Sequence, residues 1–313
     1  MLKSSPALIV LVNFFIGSQS SGLTPNEIFT FALRTKTERM KIYLFPGLFL
    51  ICITLISASC NTPRHIYSPA AHNVPVLTKK GDSKIGAVYS TNAVGNESVN
   101  DVKIDNRSRG YDLHGAVAIT NNFAIQAGHV YRWEKTEGGP DSITIKYKRN
   151  LTELGLGYYL PANDKKNTFF QVFAGVGIGQ FSFTDVDKTG NYYHQANITK
   201  IYLQPAILFK SKGSFTTSVA VRFSGIGYSK IKTNYSASQL DDYHLEDLTG
   251  RMKWFFEPAT VSSFGFKGLP GLRFEVQGGL SFLMAREYRD YRKFNFSVGT
   301  GLDIGQLFTK KAE

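Results

Sequence analysis

Asp241, Asp242 and His244 sit within one short stretch. It is the one cluster in the chain that brings carboxylates and an imidazole together as general acid–base chemistry would require. The remaining histidines, His65, His72, His114, His129 and His194, are scattered, and none forms the i, i+4 pair of a helical metal site. His114 and His129 are spaced to be neighbours across a hairpin and read as polar strand residues rather than metal ligands. No nucleophile elbow, phosphate loop or zinc pattern stands in a strand–loop setting. The chain therefore reads as a non-enzyme with no metal site and no cofactor.

A different kind of chemistry is offered by charges placed on otherwise small and polar faces: Glu153, Arg222, Arg273, Glu275 and Asp303. If those faces turn inward, opposite charges there must pair, because an unpaired charge in a low-dielectric interior is costly. The expectation is a structural plug network, with a narrow charge-lined pore as the alternative. Two segments, 232–246 with Asn234, Tyr235, Asp241, Asp242, Tyr243 and His244, and 285–292 with Arg286, Glu287, Tyr288, Arg289, Asp290, Tyr291 and Arg292, combine Tyr, Arg and acids. They read as rim residues at lipid headgroups, with specific protein recognition as the second reading.

The two cysteines gain meaning from their surroundings. Met40-Lys41 precedes an apolar stretch, Ile42 to Ile56, and small residues Ser57-Ala58-Ser59 lead into Cys60. A positive start, a short apolar run and a small-residue site make a secretory signal peptide. The run is shorter than the roughly twenty residues that a membrane-crossing helix needs. A cysteine directly after the small residues resembles a bacterial lipoprotein signal. That resemblance implies cleavage before Cys60 and diacylglycerol on its thiol; ordinary cleavage nearby is the alternative. Residues 1–39 carry a second apolar run, Ala7 to Ile16, and read as a misassigned N-terminal extension before a signal peptide spanning 40–59. Residues 60–83, with Pro63, Pro69 and Pro75, read as an extended tether between the lipid and the first strand.

These residues need a scaffold, and the rest of the chain supplies strands. From residue 84 the apolar period is two, not 3.6. Phe170, Val172, Ala174, Val176 and Ile178 share one face, and Gln171, Phe173, Gly175, Gly177 and Gly179 the other. Phe296, Val298 and Leu302 alternate with Asn295, Ser297, Gly299, Gly301 and Asp303, while Phe274 and Val276 alternate with Arg273, Glu275 and Gln277. Ten strands are expected at 84–92, 108–120, 122–135, 143–160, 168–184, 196–210, 215–231, 247–258, 271–284 and 293–308, with eight as the alternative count. The weak points are a faint first strand, a long turn at 259–270, and Pro205, which argues for a bulge or a local pairing defect.

The fold class is all-β, an up-and-down antiparallel barrel at 84–308 with a polar tail at 309–313. Its non-apolar faces hold Gly, Ser, Ala and Gln with few charges, its apolar runs are about ten residues long, and aromatics gather at strand ends. These are features of a transmembrane barrel, whose apolar side chains meet lipid. An even strand count puts both barrel termini on the short-turn, periplasmic side. The rival is a lipid-anchored, soluble, lipocalin-like periplasmic barrel holding an apolar ligand, with Phe170, Val172, Val176 and Phe274 inside. The net charge of +12 is scattered rather than clustered, which argues against nucleic acid as a partner.

The runs Cys60-Asn61-Thr62-Pro63, Asn73 to Leu77 and Gly110 to Thr120 resemble outer-membrane β-barrel proteins and lipoproteins of Bacteroidetes-type Gram-negative bacteria. The resemblance implies an outer-membrane address and a barrel fold. Its expected partners are membrane lipid and other envelope proteins, and its role is structural, binding or small-solute passage.

Overall fold

A computed structural model describes residues 63–92, 96–99, 102–138, 143–186, 190–211, 214–266, 268–285 and 288–304. The extension 1–39, the signal peptide 40–59, Cys60 and the tail 309–313 lie outside the described residues. The strands are β1 (Ser83–Thr91), β2 (Asn96–Val99), β3 (Val102–Ala118), β4 (Phe123–Gly138), β5 (Ile143–Pro161), β6 (Thr168–Val186), β7 (Asn191–Lys210), β8 (Phe215–Thr233), β9 (Lys253–Phe266), β10 (Leu269–Leu280), β11 (Phe282–Leu283) and β12 (Phe294–Asp303). A short helix, α1 (Ala237–Asp242), lies between β8 and β9 and is capped by Ser236 in a reciprocal pair with Gln239.

Sequential neighbours pair antiparallel, and β1 pairs with both β12 and β3, which closes a ten-strand barrel. The short β2 folds back on β3, and β11 continues the wall beside β9. Eight strands is excluded. The faint first strand is fully paired, from Ser83↔Val117 to Thr91↔Arg109 on one side and from Lys84↔Asp303 to Thr91↔Phe296 on the other. Closure explains how a weak strand holds: both edges have partners, so its own propensity matters little.

Strand β9, the eighth of the ten expected, departs from expectation. It occupies Lys253–Phe266 rather than 247–258, and β10 begins at Leu269, so the long turn expected at 259–270 is strand on both sides. Pro258 lies within this strand. Here it sits where the ladder to β10, which runs from Phe266 to Ala259, gives way to β11 at Phe256. Gly271, at φ +90, takes up the irregularity between Leu269 and Arg273. Pro205 behaves as a local pairing defect. It pairs with Val172 of β6, while the ladder to β8 skips from Leu203↔Phe223 to Ala206↔Ala220 without changing register.

The wall on the long-loop side is taller than expected. Segments 93–107, 136–142 and 185–195 were expected as loops, but β3 starts at Val102, β4 runs to Gly138, β6 ends at Val186 and β7 starts at Asn191. Lys146, paired with Lys135 beyond Trp133, faces outward while Ile145 and Tyr147 face inward, so the two-residue period continues beyond the apolar belt.

The direction of the faces is settled by burial. Val176 is 58% exposed, Ile178 69%, Leu156 65% and Phe274 49%, while Gln171, Phe173, Arg273 and Glu275 are buried. The apolar face points out. The lipocalin-like rival, which needs Phe170, Val172, Val176 and Phe274 inside, is overturned. Aromatics ring both margins of this outer face. Phe123 meets Tyr158, Phe215 meets Phe264 and Phe266 meets Phe274 near the short turns. Tyr111, Tyr131 and Trp133 cluster toward the long loops, as do Phe223 and Phe256. Phe123 and Trp133 are ten residues apart on β4. That is about 33 Å along the strand, or about 25 Å across a barrel tilted by about 40°, the height of an outer-membrane apolar band.

Candidate functional site: a lumen closed by an N-terminal strap

Of residues 60–83, expected to be a tether, residues 63–77 are inside the barrel. Arg64, Ile66, Tyr67, Ala70, His72, Asn73, Val74 and Leu77 are all buried. Residues 63–77 form a strap that enters the lumen among the long loops and leaves it at the short-turn end, where Asp82 accepts hydrogen bonds from Thr78 and Lys79 just before β1. The tether reading failed because prolines and polar residues were weighed above the interspersed Ile66, Tyr67, Val74 and Leu77. A solvated linker has no need of those four side chains.

The inward-facing side chains treat the strap backbone as a missing strand. Asp112 Oδ2 accepts from Ala71 N at 2.8 Å. Gln277 both accepts from His72 N at 2.5 Å and donates to His72 O at 3.1 Å. Gln204 Nε2 donates to Asn73 O at 2.8 Å, and Asn73 Nδ2 donates to Gly115 O at 3.2 Å. Tyr228 Oη donates to Ile66 O at 3.0 Å and Tyr147 Oη to Pro63 O at 3.0 Å. Arg149 donates to His65 O. A non-sheet backbone in a buried place carries polar groups that must be satisfied; here glutamines, tyrosines and arginines on the wall do it.

The strap is pinned at its entry by charge. Arg64 donates to Asp185 Oδ2 through Nε at 3.1 Å and Nη2 at 2.5 Å, and its guanidinium lies 3.5 Å from the Tyr243 ring centre. Tyr235 Oη donates to the same carboxylate oxygen at 2.7 Å. Ile66 N donates to Asp290 O at 2.8 Å, Arg292 N donates to Tyr67 O at 2.9 Å, and Tyr67 forms a parallel bridge with Tyr291. Burial pushes the Tyr235 hydroxyl up, with the Asp185 charge adding to the effect, and burial pushes the Asp290 carboxyl up as well. Tyr235 thus keeps its proton and remains a donor.

The lumen is filled in three zones. Toward the long loops, Ile66, Tyr67 and Ala70 of the strap join Ile145, Tyr147, Phe181, Phe183, Tyr228, Leu245, Leu248 and Phe255 in one apolar core. Toward the short turns, Leu77 packs with Tyr159, Phe173 and Tyr202, and Val74 with Phe169 and Leu208. The third, charged zone runs along the barrel: Arg149 lies beside Phe181 toward the long loops, and Lys84, Arg273 and Asp303 lie toward the short turns. Voids of about 20 Å³ remain beside the strap, each with room for about one water.

All five charges expected in the lumen are buried there. Arg273 Nη1 is 3.6 Å from Asp303 Oδ2, the one ion pair made within the set. Glu275 pairs with Lys84 and lies 3.4 Å from His114 Nε2. Glu153 pairs with Lys200 at 2.7 Å. Arg222 donates to Gln204 Oε1 at 2.9 and 2.7 Å and to Ala71 O at 3.4 Å. Sequence reasoning missed Lys84, Asp112, Arg132, Glu134, Arg149, Lys200, Glu257 and Arg292. The signal was available as a two-residue period: Arg132 and Glu134 share a face, as do Arg149 and Glu153. Arg132 binds Asp112 at 2.5 Å and Arg149 binds Glu134 at 2.7 Å. Tyr67 and Ser224 hydroxyls donate to Glu257 at 2.8 and 2.6 Å.

Two further expectations need correction. His114 faces the lumen, whereas His129 contacts Thr152 Oγ1 at 2.9 Å on the outer side, so the two are on opposite faces of the wall. The loop residues do not form a lipid rim. Tyr235, Arg289 and Arg292 are buried, Arg289 holds Glu246 at 2.5 Å, and Tyr291 packs on Phe255. They cap the barrel. Arg286 and Glu287 lie outside the described residues. Asp241 and Asp242 are exposed, and the His244 ring packs against Tyr288 rather than on either carboxylate. Among the described residues no group of His, Cys, Asp and Glu is arranged to hold a metal.

No protein-family model and no curated protein matches this chain. Solved structures do resemble it at low identity. The translocator domain of the autotransporter NalP from Neisseria meningitidis is 13% identical over 71% of this chain and 88% of that one, with a TM-score of 0.41. The outer membrane protease OmpT from Escherichia coli is 9% identical over 73% and 98%, with a TM-score of 0.39. The outer membrane protein OprG from Pseudomonas aeruginosa is 12% identical over 73% and 98%, with a TM-score of 0.35. At these identities the likeness is one of fold alone.

Proposed function

We propose that this chain is an outer-membrane β-barrel whose lumen is closed by its own N-terminal strap, serving a structural or binding role in the envelope rather than small-solute passage. One observation carries the reading: residues 63–77 are buried along the lumen and hydrogen-bonded to its wall. The membrane address is supported by the exposed apolar belt and its two aromatic margins, for which bilayer lipid is the partner. The long loops then face the cell exterior. The finer parts of the reading come from the sequence: a Bacteroidetes-type lipoprotein with signal peptide 40–59 and an acyl anchor at Cys60. No catalytic role is assigned, since Asp241 and Asp242 do not meet the His244 imidazole.

Planar-bilayer recording tests the closure. The folded full chain is expected to give no steady channels, and deletion of residues 63–77 to give them. Steady conductance from the intact barrel would overturn the reading in favour of a narrow charge-lined pore. A soluble product after Cys60→Ser, without detergent and without heat-modifiable gel migration, would overturn the membrane assignment.

A further inference from the structure

Strand pairing gathers cations that stand apart in the sequence. Arg107 of β3 lies opposite Lys135 of β4, and Lys135 opposite Lys146 of β5. Two residues nearer the apolar belt, Trp133 lies between Arg109 and Lys148. These side chains share the outer face, since their strand neighbours Ser108, Glu134 and Tyr147 are buried on the inner one. Adjacent strands are about 4.8 Å apart and alternate residues about 6.8 Å apart, so the five cations share a patch of about 10 by 7 Å. The next row toward the belt is Tyr111 and Tyr131, stacked in the aromatic margin.

Like charges placed directly opposite one another cost stability. Two of the five are compensated. Arg107 Nη2 lies 2.6 Å from Asp105 Oδ2, and Lys135 pairs with Glu137, both acids standing one row farther out. Arg109, Lys146 and Lys148 have no ion-pair partner among the described residues. The excess is confined to this sector. At the same level β1 and β12 carry Thr91 and Phe296, and β6 and β7 carry Ser182, Thr184, Tyr193 and Gln195. Trp133 fixes the depth, because an indole on a barrel wall marks the headgroup level. The patch is therefore at and just beyond that level, on the wall and not on the loops.

We propose that Arg109, Lys146 and Lys148 bind the phosphate groups of a glycolipid in the outer leaflet, which docks against Trp133 with its acyl chains on the belt below. This rests on the membrane assignment and the orientation proposed above. Phosphate oxygens accept charge-assisted hydrogen bonds from Arg and Lys, and the anion supplies the countercharge that the patch lacks. A lipid suits the place better than a free anion does. Leu113 and Leu154, on the same strands below the patch, are exposed and apolar, so a ligand with acyl chains covers both surfaces at once.

The test uses the folded full chain in neutral detergent micelles, with native mass spectrometry reading bound lipid. Lipid A carrying its phosphates is compared with dephosphorylated lipid A of the same acylation. A variant with Arg109→Gln, Lys146→Gln and Lys148→Gln is set beside a control with Lys79→Gln, Lys80→Gln and Lys165→Gln, which removes as many charges near the short turns. Heat-modifiable migration confirms that both fold. The wild type and the control are expected to retain the phosphorylated lipid, and the patch variant to bind it about a hundredfold more weakly. Equal affinity in patch variant and wild type, or no preference for the phosphorylated lipid, overturns the inference. Displacement of lipid A from the wild type by inorganic phosphate would make the patch a free-anion site and overturn the lipid assignment. Orientation is read separately, by an epitope tag between Asp241 and Asp242 on intact cells. Antibody binding to that tag only after permeabilisation would invert the barrel and overturn the outer-leaflet occupant, whatever the micelle assay gives.

Discussion

Arg64 and Asp185, 121 residues apart in the chain, meet at 2.5 Å with both side chains almost wholly out of solvent. This pair fixes the strap at the mouth of the barrel. Asp185 also accepts from Tyr235, so one carboxylate joins the strap, β6 and the loop that carries α1. Asp185→Ala leaves the Arg64 guanidinium buried without its carboxylate, which costs about 3–5 kcal/mol. The expected outcome is a lower urea midpoint in detergent and a rise in channel events in planar bilayers. Unchanged values for both would show that the strap is held elsewhere.

Lys84 and Glu275 make a second test, because they join the closing strand β1 to β10 across β12. Removing one partner, by Lys84→Met or Glu275→Met, strands the other charge and costs about 3–5 kcal/mol. Removing both is expected to be close to neutral, since a buried pair gains little over apolar residues of similar size. A double-mutant cycle on unfolding free energies reads this directly. Additive single effects would mean that the two charges do not interact in the folded barrel.

The alternation of the strands made the barrel legible, and the direction of its faces followed from what the non-apolar face lacked. The sequence could not reveal what fills the lumen. Arg222, Arg273, Glu275 and Asp303 were found because each stands in a clean alternating run. Lys84, the partner of Glu275, and Lys200, the partner of Glu153, sit in runs whose faces were never assigned. The strap was hidden for a different reason: its backbone has no ladder, so no periodicity marks it. It is recognised only once Gln204, Gln277 and Asp112 are seen to reach for it.

The outer face predicts a polarity of tolerance. Val176 lies on β6 between Leu154 and Ile201, all three exposed and apolar. Val176→Arg is expected to destabilise the inserted barrel by about 2–4 kcal/mol, the cost of a midplane arginine on a lipid face. Lys146→Glu, which pairs with Lys135 beyond the Trp133 margin, is expected to change stability by less than about 0.5 kcal/mol. Urea unfolding in lipid vesicles checks both. Equal tolerance at the two positions would place the belt outside the bilayer.

The short-turn end is sealed by a glycine and an aromatic ring. Gly157 of β5 pairs with Phe173 of β6, and a Cβ built on Gly157 would stand 2.2 Å from the Phe173 ring. The ring occupies the space that the missing side chain leaves and belongs to the same buried cluster as Leu77, Tyr159 and Tyr202. Gly157→Val must push Phe173 off its site, because the contacts lie along the ring and not at the tip of a flexible chain. Overpacking of this kind costs about 1–3 kcal/mol. Its specific mark is loss of the seal around Leu77: faster proteolysis of the strap and new channel events, with the barrel still migrating as folded. The companion variant Phe173→Leu removes the ring without adding bulk, and is expected to loosen the strap in the same way. Loss of stability with an intact, protease-resistant strap in both variants would show that Phe173 packs the wall and does not hold the chain within it.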